Sequence, residues 1–259
     1  MSYSAEQIAA FVGTAAWLPQ VFSWIKKSIS KPKIIIIPDR IVEIGYSNLG
    51  PVFNLRLAVS TNTNDVLLDN FQVKITHESG DSKTLDWRAT KETLNQVRNE
   101  VGVSHTVEKE ESGIAVKVRQ DTLVDKTFRF QSHSFAAEIQ PFVDSLVQHI
   151  AYLNTKAEFE REEFINSDKS HAWSSTIKSK FSWSPGKYTV LFTCKAINSA
   201  ISQITTPFSF VLSPQDIQHL RANLNQIEPT LEWHMLTDPQ RTVNKEPLFN
   251  WAYPKLSRQ

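Results

Sequence analysis

The chain has 259 residues, 41% of them apolar and 21% charged, with a net charge of +1. That balance excludes a wholly disordered protein and a polytopic membrane protein, and it offers no overall basic field for nucleic acid. One cysteine, Cys194, rules out an intramolecular disulfide and a cysteine-based zinc site. Seven glycines, against the ~18 of average usage, argue against glycine-cradled phosphate sites.

Residues 8–25 (IAAFVGTAAWLPQVFSWI) carry no charge, and Lys26, Lys27, Lys31 and Lys33 follow closely. Ser4 with Gln7 fits a helix capping box. As a helix the segment would be ~27 Å long, near the ~30 Å hydrocarbon thickness of a bilayer, although Pro19 and Gln20 interrupt it. Positive charges that follow the apolar run, with no lysine or arginine before it, disfavour a secretory signal. Three readings stay open. The segment spans a membrane with its C-terminal side in the cytoplasm, lies in the interface with Trp17, Phe22 and Trp24 at headgroup level, or packs on this protein's core or a partner. The candidate anchor residues are Phe11, Trp17, Leu18, Phe22, Trp24, Ile25, Lys26 and Lys27. With four lysines and one glutamate, residues 1–33 carry net +3, which leaves about −2 for the rest.

From residue 34 onward, period-two alternation dominates, the pattern of antiparallel strands with one buried face. The run Ile34–Ile37 ends at Pro38 and reads as a strand or buried linker. Val42, Ile44 and Tyr46 alternate with polar positions, as do Phe53, Leu55, Leu57 and Val59, and then Phe71, Val73 and Ile75. His77 to Ser82 is turn-like, and Leu85 and Trp87 resume the pattern. Residues 88–112 show a weak helical stripe in Leu94 and Val97, then a charged loop. Strands return with Ile114, Val116 and Val118, and with Phe128 and Phe130.

Ile139, Val143, Leu146, Ile150, Leu153 and Ala157 recur at helical spacing, widened by Phe142 and Val147, which predicts an amphipathic helix over roughly 135–163 with Pro141 in its first turn or at a kink. Trp173, Ile177, Phe181 and Trp183 are read as one face of a strand region, Ser184–Gly186 as a turn, and Tyr188, Val190, Phe192, Cys194 and Ala196 as an alternating strand. Phe208, Phe210 and Leu212 form the last strand. Ser213, Pro214 and Asp216 start a helix over 214–228 that Pro229 stops. The tail 229–259, with Trp233, Phe249, Trp251 and Tyr253, reads as an extended segment packed back on the body, since disordered tails are poor in aromatics. The division is therefore 1–33, a hydrophobic helix with a basic flank; 34–228, a β body with helical insertion; and 229–259, the tail.

The stretch WSPGKYTVLFTC (Trp183–Cys194) resembles the strand entry of immunoglobulin-like and fibronectin-like sandwiches. The resemblance implies an antiparallel β-sandwich in which Tyr188 is the corner residue, its hydroxyl bonding backbone upstream. Val190 stands where antibody domains carry a cysteine. Residues 43–65 and 71–81 also resemble uncharacterised bacterial proteins that combine an N-terminal hydrophobic segment with a strand-rich body; that likeness implies no activity.

Chemistry is sparse. Seven histidines include no HExxH or HxH pair, and GxSxG, GxGxxG and GxxxxGK[ST] are absent. Cys194 lies in register with the inward residues of its strand, which makes it an inert core thiol. His77, Glu78 and Asp81 share one turn that could touch a cation. Lys117, Arg119, Lys126 and Arg129 would form a small basic face if their two strand segments pair, a candidate anionic-ligand face. Together these features point to a cytoplasmic, non-enzymatic protein-interaction module without a cofactor. It would be tethered through residues 8–25 to a partner or the inner face of a membrane. The alternatives are an enzyme whose site converges from distant residues, with His133 and His149 as candidates, and a nucleic-acid-binding accessory protein, which the near-zero charge disfavours.

Overall fold

The computed structural model describes residues 17, 20–22, 33–62, 64–98, 104–155, 161–197, 203–235, 240 and 246–258, with backbone alone for 92–98 and 104–108. Alternation carries straight into burial. Val42, Ile44 and Tyr46, Phe53 to Val59 at every second position, Val73 and Ile75, and Tyr188 to Cys194 at every second position all lie within 1% of full burial. Each such side chain withdrawn from water contributes roughly 1.5–3 kcal/mol, and the intervening positions are more exposed, except for Gly45 and for Asn54, which is buried and bonded to Glu43 and Arg129.

The strands are β1 (Ile34–Pro38), β2 (Glu43–Ser47), β3 (Gly50–Thr61), β4 (Val66–His77), β5 (Ser82–Arg98), β6 (Ser104–Glu111), β7 (Ala115–Val118), β8 (Leu123–Gln131), β9 (Gly186–Ile197), β10 (Ile204–Leu212), β11 (Trp251–Ala252) and β12 (Ser257–Arg258). They form one hydrogen-bonded sheet in the order β11-β2-β3-β8-β5-β4-β9-β10-β12, with β1 on β3, β6 on β5 and β7 on β4. All these ladders are antiparallel. The strands β1 and β2 run one after the other along the same side of β3. The first and last strands of the order, β11 and β12, belong to a single short stretch of the tail, so the sheet curls until its two edges meet across that stretch. The tail is then the eighth member of a ring whose neighbours all alternate in direction, and an even number is what antiparallel closure requires. Rings from opposite sides meet in the interior: Phe53 lies 6.1 Å from Phe210, and Phe130 lies 6.4 Å from Phe192.

The helices are α1 (His133–Leu153), α2 (Arg161–Ile165), α3 (Asp168–Ser179), α4 (Pro214–Ala222) and α5 (Ile227–His234), with a 3₁₀ turn at Asn223–Gln226. They follow β8, precede β9 and follow β10, so they gather at one end of the curled sheet. There the Tyr46 hydroxyl donates to the Ile177 carbonyl at 2.5 Å, the Trp183 indole donates to the Gly45 carbonyl at 3.2 Å, and Phe135 and Phe181 pack edge-on against Tyr46. Gly50 opens β3 at φ +78°, and a Cβ there would stand 2.6 Å from the Phe135 ring, so the turn and the close approach of α1 both need glycine.

Several expectations are corrected. Residues 82–98 and 104–111 form a β-hairpin arm instead of a helical stripe and a loop; a ladder already running through Asp86–Lys91 to β8 overrides weak local spacing. Trp173 and Ile177 lie on helix α3, capped by the Ser167 side chain, and not on a strand; their spacing of four is one helical turn. The long helix spans 133–153 and continues through Pro141, because Pro141 and the residue one turn earlier, Ala137, face solvent, where water can bond the orphaned carbonyl. The Ser213–Asp216 capping box is present. Pro229 does not stop the C-terminal helix: it sits in the first turn of α5, where an absent N–H costs nothing. Ile114 is 93% exposed and precedes β7. The strands belong to one continuous, curled hydrogen-bonded sheet.

Candidate functional site

The closing tail seals only part of the junction it occupies. Its descent is pinned first by Asn223, whose amide donates to the Tyr46 carbonyl at 3.0 Å and the Asn250 carbonyl at 2.9 Å, while the Asn223 side-chain oxygen accepts from the Asn250 N–H at 2.7 Å. Trp251 then lies flat over Gly45, where a Cβ would meet its ring at 2.6 Å. On one side Trp251 pairs with Gly45 and Ala252 with Ile44, Lys255 bridges to Ile41, the Val42 N–H donates to the Pro254 carbonyl, and the Leu256 N–H donates to the Arg40 carbonyl. On the other side Ser257 pairs with Ser209 and Arg258 with Phe208.

Below that level two strands continue without a neighbour between them among the described residues. If both registers are carried downward, the next position, that of Gln259, which lies outside the described residues, meets Ile37 on one side and Pro207 on the other. The following three meet Ile36 and Thr206, Ile35 and Thr205, and Ile34 and Ile204. Both strands begin at the same level, at Ile34 and Ile204. Ladder alternation says which backbone groups face the gap. The Asp39 N–H donates to the Arg56 carbonyl on β3 at 2.9 Å, so Ile35 and Ile37 bond toward β3, whereas Ile34 and Ile36 turn their N–H and C=O toward the gap. On the tail, Leu256 and Val42 bond on the β2 side. The pair Ser257–Ser209 therefore sets the β10 side, and Thr205 presents its N–H and C=O and Pro207 its C=O. No strand among the described residues covers this edge of β1.

Burial agrees with a missing layer. The inward side chains Ile34, Ile36 and Ile204 pack on the core but are only half-buried, while their counterparts beside the tail, Val42, Ile44 and Phe208, are fully buried. Ile35 and Ile37 are more than 40% exposed on the outer face. A cleft of about 370 Å³ opens at the top of the gap between Ile37, Pro38, Phe208, Leu256 and Arg258. Beside it the Arg56 guanidinium donates to both oxygens of Asp125, at 2.8 and 2.7 Å, and that bond holds the Asp125 carboxyl below its usual range.

The residues chosen from sequence fall elsewhere. Lys117 sits on β7 and pairs with Asp65 at 3.2 Å; Lys126 and Arg129 sit on β8, where Arg129 bonds Asn54 and Glu110. Arg119 is exposed just after β7. Strand β7 pairs with β4, and β8 with β3 and β5, so the expected basic face does not assemble, and its charges are set against carboxylates. Phe128 and Phe130 are fully buried. Of the anchor candidates, Trp17 and Phe22 are helical and about two-thirds or more exposed, as Val21 partly is. Phe11, Leu18, Trp24, Ile25, Lys26 and Lys27 lie outside the described residues, and among the described residues no helix is long and apolar enough to cross a membrane.

In the turn after β4, His77 Nε2 lies 3.1 Å from the Pro185 carbonyl and Nδ1 lies 2.8 Å from Ser79 Oγ, which donates to Asp81 at 2.8 Å. These contacts close the turn and tie it to the Ser184–Gly186 turn, and among the described residues no group of three or more His, Cys, Asp or Glu could hold a metal ion. His133 and His149 lie on the same helix, roughly 24 Å apart along its axis at 1.5 Å per residue. They do not converge. Cys194 is buried, and burial, helped by the Asp69 carboxylate, pushes its thiol up to about 12, so it is not a thiolate near neutrality. The Tyr188 hydroxyl donates to the Ser184 carbonyl at 2.9 Å and accepts from the Ser184 N–H at 2.8 Å, the upstream bond expected of a corner tyrosine.

The gap itself escaped the sequence reading. Its only local signs are the edge-capping prolines Pro38 and Pro207 and the unbroken Ile34–Ile37 run. No family model, curated protein or solved structure matches this chain.

Proposed function

We propose that the protein is a non-enzymatic interaction module whose contact element is the unsealed seam between β1 and β10. The observation that carries this reading is the alignment, in a common register, of two strand edges whose backbone groups facing one gap have no strand partner among the described residues. Exposed sheet edges accept another chain by strand addition, with main-chain bonds supplying affinity. The exposed Trp17, Val21 and Phe22, with the lysines after them, support a second contact that tethers the module to a partner or to an anionic membrane surface on the cytoplasmic side. Kinship with immunoglobulin-like sandwiches rests on the Tyr188 corner alone.

Affinity capture with the full chain tests the seam, using the wild type beside an Ile36→Pro, Thr205→Pro variant. Each proline removes an N–H that faces the gap and spares the bonds to β3 and β9. Proteins retained by the wild type and lost by an equally stable variant support the reading; identical retention by both refutes it. For the tether, full-length Trp17→Glu, Phe22→Glu protein is expected to lose co-flotation with phosphatidylserine vesicles, and unchanged flotation would remove that part.

A further inference from the structure

Resting on that reading of the seam, we infer that its ligand is one extended polypeptide segment, running antiparallel to both β1 and β10 and apolar at alternate positions. Three features of the gap define the occupant.

Direction comes first. β2 and β10 are both antiparallel to the tail, so they run parallel to each other, and β1 shares the direction of β2. A strand bonded to both edges must therefore descend as the tail does, from the level of Ile36 toward that of Ile34.

Width comes second. At Arg40 and Phe208 the tail alone separates the two edges. With neighbouring strands ~4.8 Å apart, the opening admits one strand. The sheet edge of a second copy would bring its own β3 with it and would meet β10, so a second copy does not fit between the edges.

Pattern comes third. Directly paired residues on antiparallel strands share a face. Ala252, Pro254 and Leu256 of the tail turn inward, and Tyr253 and Lys255 turn outward. The same parity, carried down, turns inward the occupant residues opposite Ile36–Thr206 and Ile34–Ile204. It turns outward the one between them, beside Ile35 and Thr205. Inward residues would complete the half-buried layer of Ile34, Ile36 and Ile204, so β-branched apolar side chains suit them. The outward position tolerates polar residues. The occupant's backbone bonds alternately to Ile34 and Ile36 on one side and to Thr205 on the other.

The probe is a capped tetrapeptide, acetyl-Val-Thr-Val-Thr-amide, titrated into isotopically labelled full-length protein. Two control peptides accompany it, one with both valines changed to lysine and one N-methylated at the central threonine, the residue between the two valines, which bonds toward Thr205. Binding is expected at high-micromolar to millimolar concentration. It should shift the amide signals of Ile34, Ile36 and Thr205 and slow their hydrogen exchange at least tenfold. Either control should weaken it at least fivefold, as should Ile36→Pro in the protein, with Ile36→Val as a variant that keeps the N–H and the binding.

Binding that ignores the valine pattern or leaves those three amides unchanged would overturn the inference, as would no binding at 5 mM. Concentration-dependent dimerisation that slows the same amides and disappears in Ile36→Pro would overturn it in favour of a second copy. If the peptide fails but captured proteins still depend on Ile36 and Thr205, the inference falls and the interaction reading stands. If neither depends on the seam, both fall.

Discussion

The upper and lower halves of the junction between β2–β1 and β10 are built from the same materials and end in different states. Above, the tail lies between the edges, and Val42, Ile44, Phe208 and Ala252 are almost wholly buried. Below, the same inward rows continue as Ile36, Ile34 and Ile204, which are half-buried, and edge backbone groups lack a strand partner among the described residues. The difference is the presence of one strand. What seals the upper half is an anchored tail: Asn223 fixes where it begins, and Trp251 over Gly45 fixes its register. The capped end repeats the lesson, since Tyr46 there ties a helix to β2, and Trp183 ties the loop before β9 to β2, through their polar atoms.

Removing the anchor should turn the upper half into the lower one. Asn223→Ala removes the partner that fully buried Asn223 supplies to the Tyr46 carbonyl and to the Asn250 N–H and carbonyl. The expected cost is about 3 kcal/mol, read by urea unfolding, together with faster exchange at Val42 and Leu256. A variant as stable as wild type would mean that the tail holds itself. Proline scanning along β1 separates its two edges. Ile35→Pro breaks a bond to β3 and should cost about 3 kcal/mol, while Ile36→Pro should cost under about 1 kcal/mol; equal losses would contradict the assigned parity. Tyr188→Phe removes both bonds to Ser184 from the capped end and should cost about 1–2 kcal/mol without changing amide exchange at the seam.

The smallest expected effect is one of pH. Lys83 lies over the Trp183 ring at 3.8 Å and donates to Ser182, and burial lowers its ammonium to about 8 although Asp81 opposes the shift. The folded state therefore sheds a proton that the unfolded chain keeps up to about 10.5. Stability should rise with pH across that window, relative to Lys83→Met, in which the rise should be missing. Parallel curves for the two proteins would place Lys83 in water.

Much of the sheet was legible because burial on one face writes itself into every second residue: the rows through Val42–Tyr46, Phe53–Val59 and Tyr188–Cys194 face inward as their spacing requires. The helix after Ser213 was legible from its cap. Trp173 and Ile177 misled because aromatic and β-branched residues suggest strand while their spacing of four belongs to a helix. The β5–β6 arm misled because a ladder made with distant partners leaves little trace in a local stripe. The seam was illegible for the same reason in stronger form. It depends on the register of Arg40 against Leu256 and of Phe208 against Arg258, and neither pairing has any periodicity of its own to show.

The tail pairing also bears on how the molecule is made. Ile44 pairs with nearby Phe53 on one side but finds its partner on the other side only at Ala252, about two hundred positions later, so the contact that closes the ring is among the most distant the chain can form. Loop-closure entropy makes such contacts slow. During synthesis the outer edge of β2 and the neighbouring edge of β10 stay bare until the aromatic tail has emerged, in the state that most invites wrong pairing between chains. Folding should then show a late phase, reported by burial of Trp251, and chains interrupted before it should be the ones that aggregate.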